Sequence, residues 1–226
     1  RQAFQLASTG PPRPVLVDIP KDILSARCSL QPKKSQAATP KRVENREQLE
    51  RIAQALNRSE RPVLIIGGGV KLGDACAQMS EFVPQGQLTF VTTMMGSGSV
   101  SSANGFNLGF IGTHGNELAN RIIHDSDFIL AVGTRFTERS TSVIEEFAPL
   151  ATIAQIDIDP TSIGKNIKVD LPFVGDIQEV LVDLIPLIVP RNRDAWIDRI
   201  GMERQAQEEK LIDGGCGQAG NLIRNI

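Results

Sequence analysis

Short apolar runs alternate with segments of helical periodicity along most of the chain. Runs that are apolar on both sides of the backbone are typical of strands buried inside a sheet. They predict strands at residues 62–66, 88–92, 128–132 and 152–156, with a further short strand within 168–174. Apolar positions three and four apart predict helices at residues 44–56, 72–82, 116–124 and 177–189. This alternation indicates a doubly wound α/β fold with a mostly parallel sheet.

The two ends of the chain have a different pattern. Residues 1–8 resemble the end of a helix, and residues 14–19 (PVLVDI) resemble a strand without upstream partners. Residues 25–42 are rich in Lys, Pro, Ser, Ala and Gln with little periodicity, which is typical of a linker. Residues 194–211 are highly charged and predict an exposed helix.

Composition narrows the class of protein. Apolar residues make up 41% and charged residues 22% of the chain, which is ordinary for a globular protein. The net charge of -2 gives no general attraction to nucleic acid or anionic membranes, and no apolar run is long enough for a membrane span. Cys28, Cys76 and Cys216 are far apart, so neither a metal motif nor a disulfide framework is expected, and we expect a cytoplasmic protein.

Glycine-rich turns follow the first two predicted strands, where a doubly wound sheet binds its ligands. Gly67, Gly68 and Gly69 would let a phosphate approach the backbone, but Leu72 stands where the dinucleotide fingerprint needs a third glycine. A tight turn without a ligand explains them equally well. The second turn, residues 92–98, contains methionines that could either line a flat aromatic ligand or pack the loop.

Charged side chains follow the later strands. Arg135 and Arg139 suit phosphate binding, with a surface Arg–Glu cluster as the alternative. Asp157 suits hydrogen bonds to ribose hydroxyls, while Asp159 before Pro160 also fits a helix N-cap. Asp176 before the next helix repeats this arrangement.

The chain lacks the common signatures of a self-sufficient catalytic centre. His114 stands between glycines without a neighbouring triad or metal partner, so a structural role is favoured. GxxxxGK[ST], HExxH, GxSxG and paired-cysteine motifs are missing from the sequence. We therefore assign no catalytic and no metal-binding residue.

An ordered set of short motifs runs from about residue 3 to 190. Its members are 14–22 (PVLVDIPKD), 61–69 (RPVLIIGGG), 93–96 (TMMG), 114–115 (HG), 119–120 (AN), 132–136 (VGTRF), Arg139, 147–149 (FAP), 157–160 (DIDP), 163–166 (IGKN) and 175–176 (GD). Together they resemble the central domain of the acetohydroxyacid (acetolactate) synthases, which are thiamine-diphosphate enzymes. The resemblance implies a Rossmann-like central domain.

The resemblance also implies how the chain divides. Residues 1–24 would be the tail of an N-terminal pyrimidine-type domain and 25–43 a linker. Residues 44–190 would be the central FAD- or ADP-binding domain, and 191–226 a connector toward a missing C-terminal diphosphate-binding domain. We expect such a fragment to be inactive alone.

For the full-length enzyme, the resemblance implies a transferase of branched-chain amino-acid biosynthesis. It would condense 2-oxoacids with decarboxylation, using thiamine diphosphate and Mg²⁺ that this fragment does not bind. We expect a cytoplasmic homodimer or tetramer without nucleic-acid or membrane partners. The alternatives are another thiamine-diphosphate 2-oxoacid decarboxylase or carboligase, or a non-catalytic nucleotide-binding module.

The family's cofactor contacts can be carried over by position. They are Gly67, Gly68, Gly69, Thr93, Met94, Met95, Ile111, Gly112, Thr113, His114, Gly115, Gly133, Arg135, Arg139, Asp157, Ile158 and Asp176. Lys21 matches a lysine at the mouth of the substrate channel. The chain departs from the family pattern where Pro11 replaces an expected flavin-binding arginine, at Thr113, and at Thr137–Glu138 within the family's RFDDR motif.

Overall fold

The computed structural model describes residues 2–8, 10–27, 45–141 and 144–213. Contacts divide the chain into two compact units, residues 1–44 and 45–226, which we describe separately. Most of the predicted linker at 25–43 lies outside the described residues. No helix in the described part of the chain is long and apolar enough to cross a membrane.

The first unit contains two short helices, α1 (Gln2–Ser8) and α2 (Lys21–Ser25). Residues 14–19, predicted as a strand, form no strand, and Leu16 is 94% exposed. A strand requires hydrogen bonds to a neighbouring strand, and no described segment pairs with this one. The strand prediction was therefore wrong for the described structure.

The second unit is built on a parallel sheet in which the strand order is β3-β2-β1-β4-β5-β6. Its strands are β1 (Pro62–Ile66), β2 (Thr89–Thr92), β3 (Asn107–Phe110), β4 (Phe128–Val132), β5 (Thr152–Asp157) and β6 (Leu171–Val174). All pairs are parallel, as the buried apolar runs predicted. The strand order reverses between β1 and β4, where doubly wound sheets open a crevice for a ligand.

Helices cover both faces of this sheet. They are α3 (Arg46–Arg58), α4 (Gly69–Leu72), α5 (Cys76–Gln85), α6 (Glu117–Asp125), α7 (Glu138–Thr141), α8 (Ile177–Leu184) and α9 (Asp194–Asp213). The helix predicted at 72–82 is instead two helices, because Asp74 adopts a φ of 52° between them. Helix α8 ends earlier than predicted, since Pro186 follows within a 3₁₀ turn at Ile185–Leu187.

Strand side chains alternate between the two faces and form two apolar layers. Val63, Ile65 and Ile129 pack with residues of α6 and α9 in one buried cluster. Leu64 and Leu130 are also buried and lie on the opposite face, where α3, α5 and α8 contact one another. The sheet is thus buried on both faces.

Helix α9 is part of this core, which contradicts the prediction of an exposed helix. Trp196 and Ile200 are each 4% exposed and pack into the cluster around α6. The buried Arg193 precedes them and donates to the carbonyls of Leu56 (2.9 Å) and Gly86 (2.7 Å). The many charged residues of the segment made its narrow apolar stripe hard to recognise from the sequence. The stripe consists of Trp196 and Ile200, which are four residues apart and share one face of the helix.

Candidate functional site

The carried-over residues of the second unit all lie at or after the carboxyl ends of the strands. Gly67–Gly69 follow β1, Thr93–Met95 follow β2, Ile111–Gly115 follow β3, Gly133, Arg135 and Arg139 follow β4, Asp157 and Ile158 close β5, and Asp176 follows β6. Because the strands are parallel, these residues share one edge of the sheet. Lys21 belongs to the first unit, where it is the exposed first residue of α2.

The turns after β1 and β4 touch through their glycine backbones. The N–H of Gly67 donates to Val132 O (2.8 Å), and the N–H of Gly69 donates to Gly133 O (3.0 Å). A Cβ on Gly67 would lie 2.0 Å from Gly133 O, and Gly133 itself has a φ of +61°. Close packing therefore explains the need for glycine at Gly67, Gly69 and Gly133 without any ligand.

The turn after β2 is packed beside that of β1. A Cβ on Gly96 would lie 2.0 Å from Ile66 O, and Lys71 Nζ donates to Ser97 O (2.9 Å). Met94 and Met95 are 73% and 71% exposed, so these side chains do not pack the loop. They present polarisable apolar surface at the carboxyl edge of the sheet.

The loop after β3 is pinned to the segment after β4. Thr113 N–H donates to Arg139 O (3.0 Å), and the amide of Asn120 bonds both the N–H and the C=O of Gly112 (2.8 and 3.0 Å). His114 is exposed, and its ring makes no hydrogen bond with any described residue. The structural role favoured for His114 from the sequence stays a prediction.

The turn after β4 presents two cationic side chains. Arg135 and Arg139 are exposed, and neither guanidinium makes a hydrogen bond or ion pair with a described residue. The alternative of an Arg–Glu cluster is therefore not formed within the described part of the chain. Between them, Phe136 is buried with a φ of 48° and packs edge-on against Phe147, with ring centroids 5.7 Å apart.

Asp157 is the carboxylate with which β5 ends at this edge. Its side chain is 8% exposed, and Oδ1 accepts the N–H of Asp159 (2.9 Å). Burial raises the pKa of Asp157, and the neighbouring charge of Asp159 raises it further. The hydrogen bond from Asp159 N–H and the positive charge of Arg135 act in the opposite direction, so this carboxylate is electrostatically connected to the arginine turn.

The other two aspartates are occupied by backbone capping. Asp159 Oδ1 accepts the N–H (3.0 Å) and the hydroxyl (2.7 Å) of Thr161. It caps a turn at residues 160–164, so the predicted helix after Pro160 is absent. Gly164, with a φ of +66°, directs the chain out of the helical path. Asp176 Oδ1 accepts the N–H groups of Gln178 (2.9 Å) and Glu179 (3.3 Å) as the N-cap of α8.

Comparison with known families decides the membership of this domain. The family model described as "Thiamine pyrophosphate enzyme, central domain" matches residues 49–184, which is more than half of the chain. The chain belongs to this family. Thiamine pyrophosphate and thiamine diphosphate are the same compound, so the match confirms the superfamily and the fold indicated by the motifs.

Curated relatives of this central domain are named acetolactate synthases. The probable large subunit of Methanocaldococcus jannaschii is 36% identical over 209 residues, covering 88% of this chain and 35% of the relative. The isozyme 3 large subunit of Escherichia coli is 36% identical over 205 residues, covering 88% and 36%. The Haemophilus influenzae large subunit is 35% identical over 218 residues, covering 92% and 37%. The chain spans about a third of the length of these relatives.

The structure adds three side chains to the carboxyl edge of the central domain that the sequence reasoning did not assign to the site. They are Lys71, Gln155 and Asn166. Gln155 is fully buried, and its amide bonds Thr134 O (2.9 Å), Ser162 O (3.2 Å) and Gly164 N (3.0 Å). A polar residue inside the apolar run of β5 was the available signal. Lys71 and Asn166 are exposed and carried no such signal.

The side chains at this edge have the chemistry that an adenine or flavin nucleotide requires. Two guanidinium groups that no described residue hydrogen-bonds suit phosphate oxygens, a buried carboxylate suits ribose hydroxyls, and exposed methionines suit a flat ring. The described residues do not fit a resident divalent metal, because they contain no group of three His, Cys, Asp or Glu side chains that could hold one.

Proposed function

We propose that the chain is the central domain of an acetolactate synthase-like enzyme. The relatives that match most of the chain carry that name at 35–38% identity, and this observation carries the proposal. The complete enzyme would join two 2-oxoacids with loss of CO₂, as a cytoplasmic homodimer or tetramer in branched-chain amino-acid synthesis. Thiamine diphosphate would supply the carbanion chemistry, together with Mg²⁺, through residues outside those described here.

Within this enzyme, the central domain would hold FAD or ADP across the carboxyl ends of its strands. The phosphates would bind Arg135 and Arg139, and an adenosine ribose would bind Asp157. This placement is supported by the reversal of strand order between β1 and β4 and by two exposed guanidinium groups that no described residue hydrogen-bonds. Met94 and Met95 would contact a flat ring, and the backbone of residues 67–69 would lie beside the ligand.

Lys21 would lie at the mouth of the substrate channel when the enzyme is complete. Its ammonium group would attract the carboxylate of a 2-oxoacid without taking part in the bond changes.

Activity of the complete protein tests the proposal. We expect the full-length protein, supplied with thiamine diphosphate and Mg²⁺, to convert pyruvate to acetolactate, measured by colorimetric detection of acetoin after acidification. The 226-residue chain alone should form none under the same conditions, even with added FAD. Acetaldehyde as the only product of the full-length protein would instead indicate a decarboxylase. Acetolactate formed by the chain alone would contradict the proposal that the reaction needs residues outside this chain.

A further inference from the structure

The turn that carries Arg135 is held by a side chain from a segment 30 residues further along the chain. Asn166 Nδ2 donates to the carbonyls of both Arg135 (3.0 Å) and Phe136 (2.8 Å). We infer that Asn166 is a positioning residue for the proposed nucleotide site, which acts by fixing the backbone from which Arg135 projects. This inference rests on the proposed nucleotide function of that edge.

The turn needs such support because its backbone is strained. Phe136 has a φ of 48°, a left-handed conformation that residues with a bulky side chain rarely adopt. The conformation places Phe136 in the core against Phe147 while the preceding Arg135 remains exposed. Without support, the turn could relax toward an unstrained conformation, and the direction of the Arg135 side chain would change with it.

Two side-chain amides support three successive carbonyls of this turn. Gln155 Nε2 donates to Thr134 O (2.9 Å), and Asn166 donates to the next two carbonyls. Gln155 also bonds Ser162 O and Gly164 N, which fixes the turn that leads to Asn166. The buried amide on β5 therefore anchors the exposed one, and both hold the backbone on either side of Arg135.

A held backbone favours ligand binding because less freedom is lost when the phosphate binds. The cost of ordering a loop is subtracted from the affinity it confers, and a turn that is already ordered avoids that cost. With the carbonyls of 134–136 bonded, only the side chain of Arg135 has to be ordered. Asn166 would thus affect nucleotide affinity through Arg135, without a contact of its own to the ligand.

The test compares two asparagines that make similar bonds at different places. Asn57 lies on α3, donates to Leu187 O (2.9 Å) and accepts from Val189 N (3.0 Å), away from the arginine turn. We expect Asn166→Ala to weaken ADP binding to the chain about tenfold, about 1.4 kcal/mol, and Asn57→Ala to leave it unchanged. Hydrogen exchange of residues 134–137 should become faster only in Asn166→Ala. Isothermal titration calorimetry measures the ADP affinity and mass spectrometry measures the hydrogen exchange, each on variants shown to be folded.

The double variant Arg135→Ala/Asn166→Ala separates positioning from an independent effect. If Asn166 acts through Arg135, the double variant binds ADP no more weakly than Arg135→Ala alone. Additive losses, or equal losses in Asn166→Ala and Asn57→Ala, would overturn the inference and leave the proposed nucleotide function standing. Failure of the unmodified chain to bind ADP or FAD would overturn that function and this inference together.

Discussion

Asp157 shows how a single residue at this edge differs from its surroundings. Strand β5 ends in this buried carboxylate, whose pKa is raised mainly by burial. Burial disfavours the ionised form, so Asp157 lowers the stability of the folded chain at neutral pH. A buried carboxylate that lowers stability is typical of a functional site, where it would form hydrogen bonds with a ligand.

The stability effect of Asp157 should depend on pH in a defined direction. Because its pKa is raised on folding, the protonated form favours folding below the ordinary value of 3.8, and this advantage is lost as the pH rises through the raised value. We therefore expect Asp157→Asn to melt at a higher temperature than the unmodified chain at pH 7, with the difference shrinking toward pH 4. Scanning calorimetry across this range measures it.

The same variant should lose nucleotide affinity while it gains stability. Asp198→Asn removes an equal charge from an exposed position on α9 and provides the control for net charge. An Asp157→Asn chain that is less stable than the unmodified chain at pH 7 would show that the carboxylate is a structural group. Unchanged affinity for ADP in this variant would show that Asp157 does not contribute to the nucleotide site.

At the residue scale, the sequence predicted the positions of the candidate side chains but not the contacts that hold their backbone. Arg135 and Asp157 could be placed because each follows an apolar run, and parallel strands bring such positions to one edge. Asn166 could not be connected to Arg135, because a side-chain hydrogen bond across 31 residues depends on the tertiary path of the chain. Its motif matched the family, but the motif alone does not reveal the contact.

Among the elements, α9 differs most from its prediction. Its charged residues predicted an exposed helix, but its first turns fill the core beside α6. Arg199 adds an ion pair with Asp125 and lies over the ring of Trp196, 5.5 Å from its centroid. Burial acts to raise the pKa of Asp125, but the hydrogen bonds from His124 and Arg199 and the charges of both groups together hold it below its usual range.

Trp196 provides a direct test of how α9 packs. Truncating a buried tryptophan typically costs about 3–5 kcal/mol, so Trp196→Ala should lower the free energy of unfolding by about that amount. Met202→Ala, on the same helix but 66% exposed, should change it by less than about 0.5 kcal/mol. Urea denaturation followed by circular dichroism compares the two. Equal, small effects would mean that α9 does not pack into the core in solution.

Among the strands of the sheet, β3 was not predicted from the sequence. Asn107 and Gly109 interrupt its apolar pattern, and its pairing with β2 shifts register between Phe90 and Thr92. Edge strands of this kind have one partner and little burial, so periodicity gives a weak signal. The central strands β1, β4 and β5 were predicted because every residue there, apart from the exposed Thr152 and the buried Gln155 and Asp157, is a buried apolar one.

At the scale of the whole second unit, the strand order determines which turns become neighbours at the carboxyl ends of the strands. The order reverses between β1 and β4, and the glycine turns after these two strands touch directly. No local pattern specifies which strands become neighbours, so the sequence predicted the fold class without this order. The structure supplies the order, and the family match identifies the domain as one that thiamine-diphosphate enzymes share.

The central claim is that a nucleotide binds at the carboxyl edge through Arg135, and titration of FAD and ADP into the chain tests it most directly. A hydrogen bond to a charged group is worth about 1.5–3 kcal/mol, so Arg135→Ala should weaken binding roughly ten- to a hundredfold. Arg58→Ala removes the same charge from an exposed position before the amino end of β1 and should leave affinity unchanged. Equal binding by the unmodified and Arg135→Ala chains, or no binding of either nucleotide at millimolar concentration, would contradict the claim.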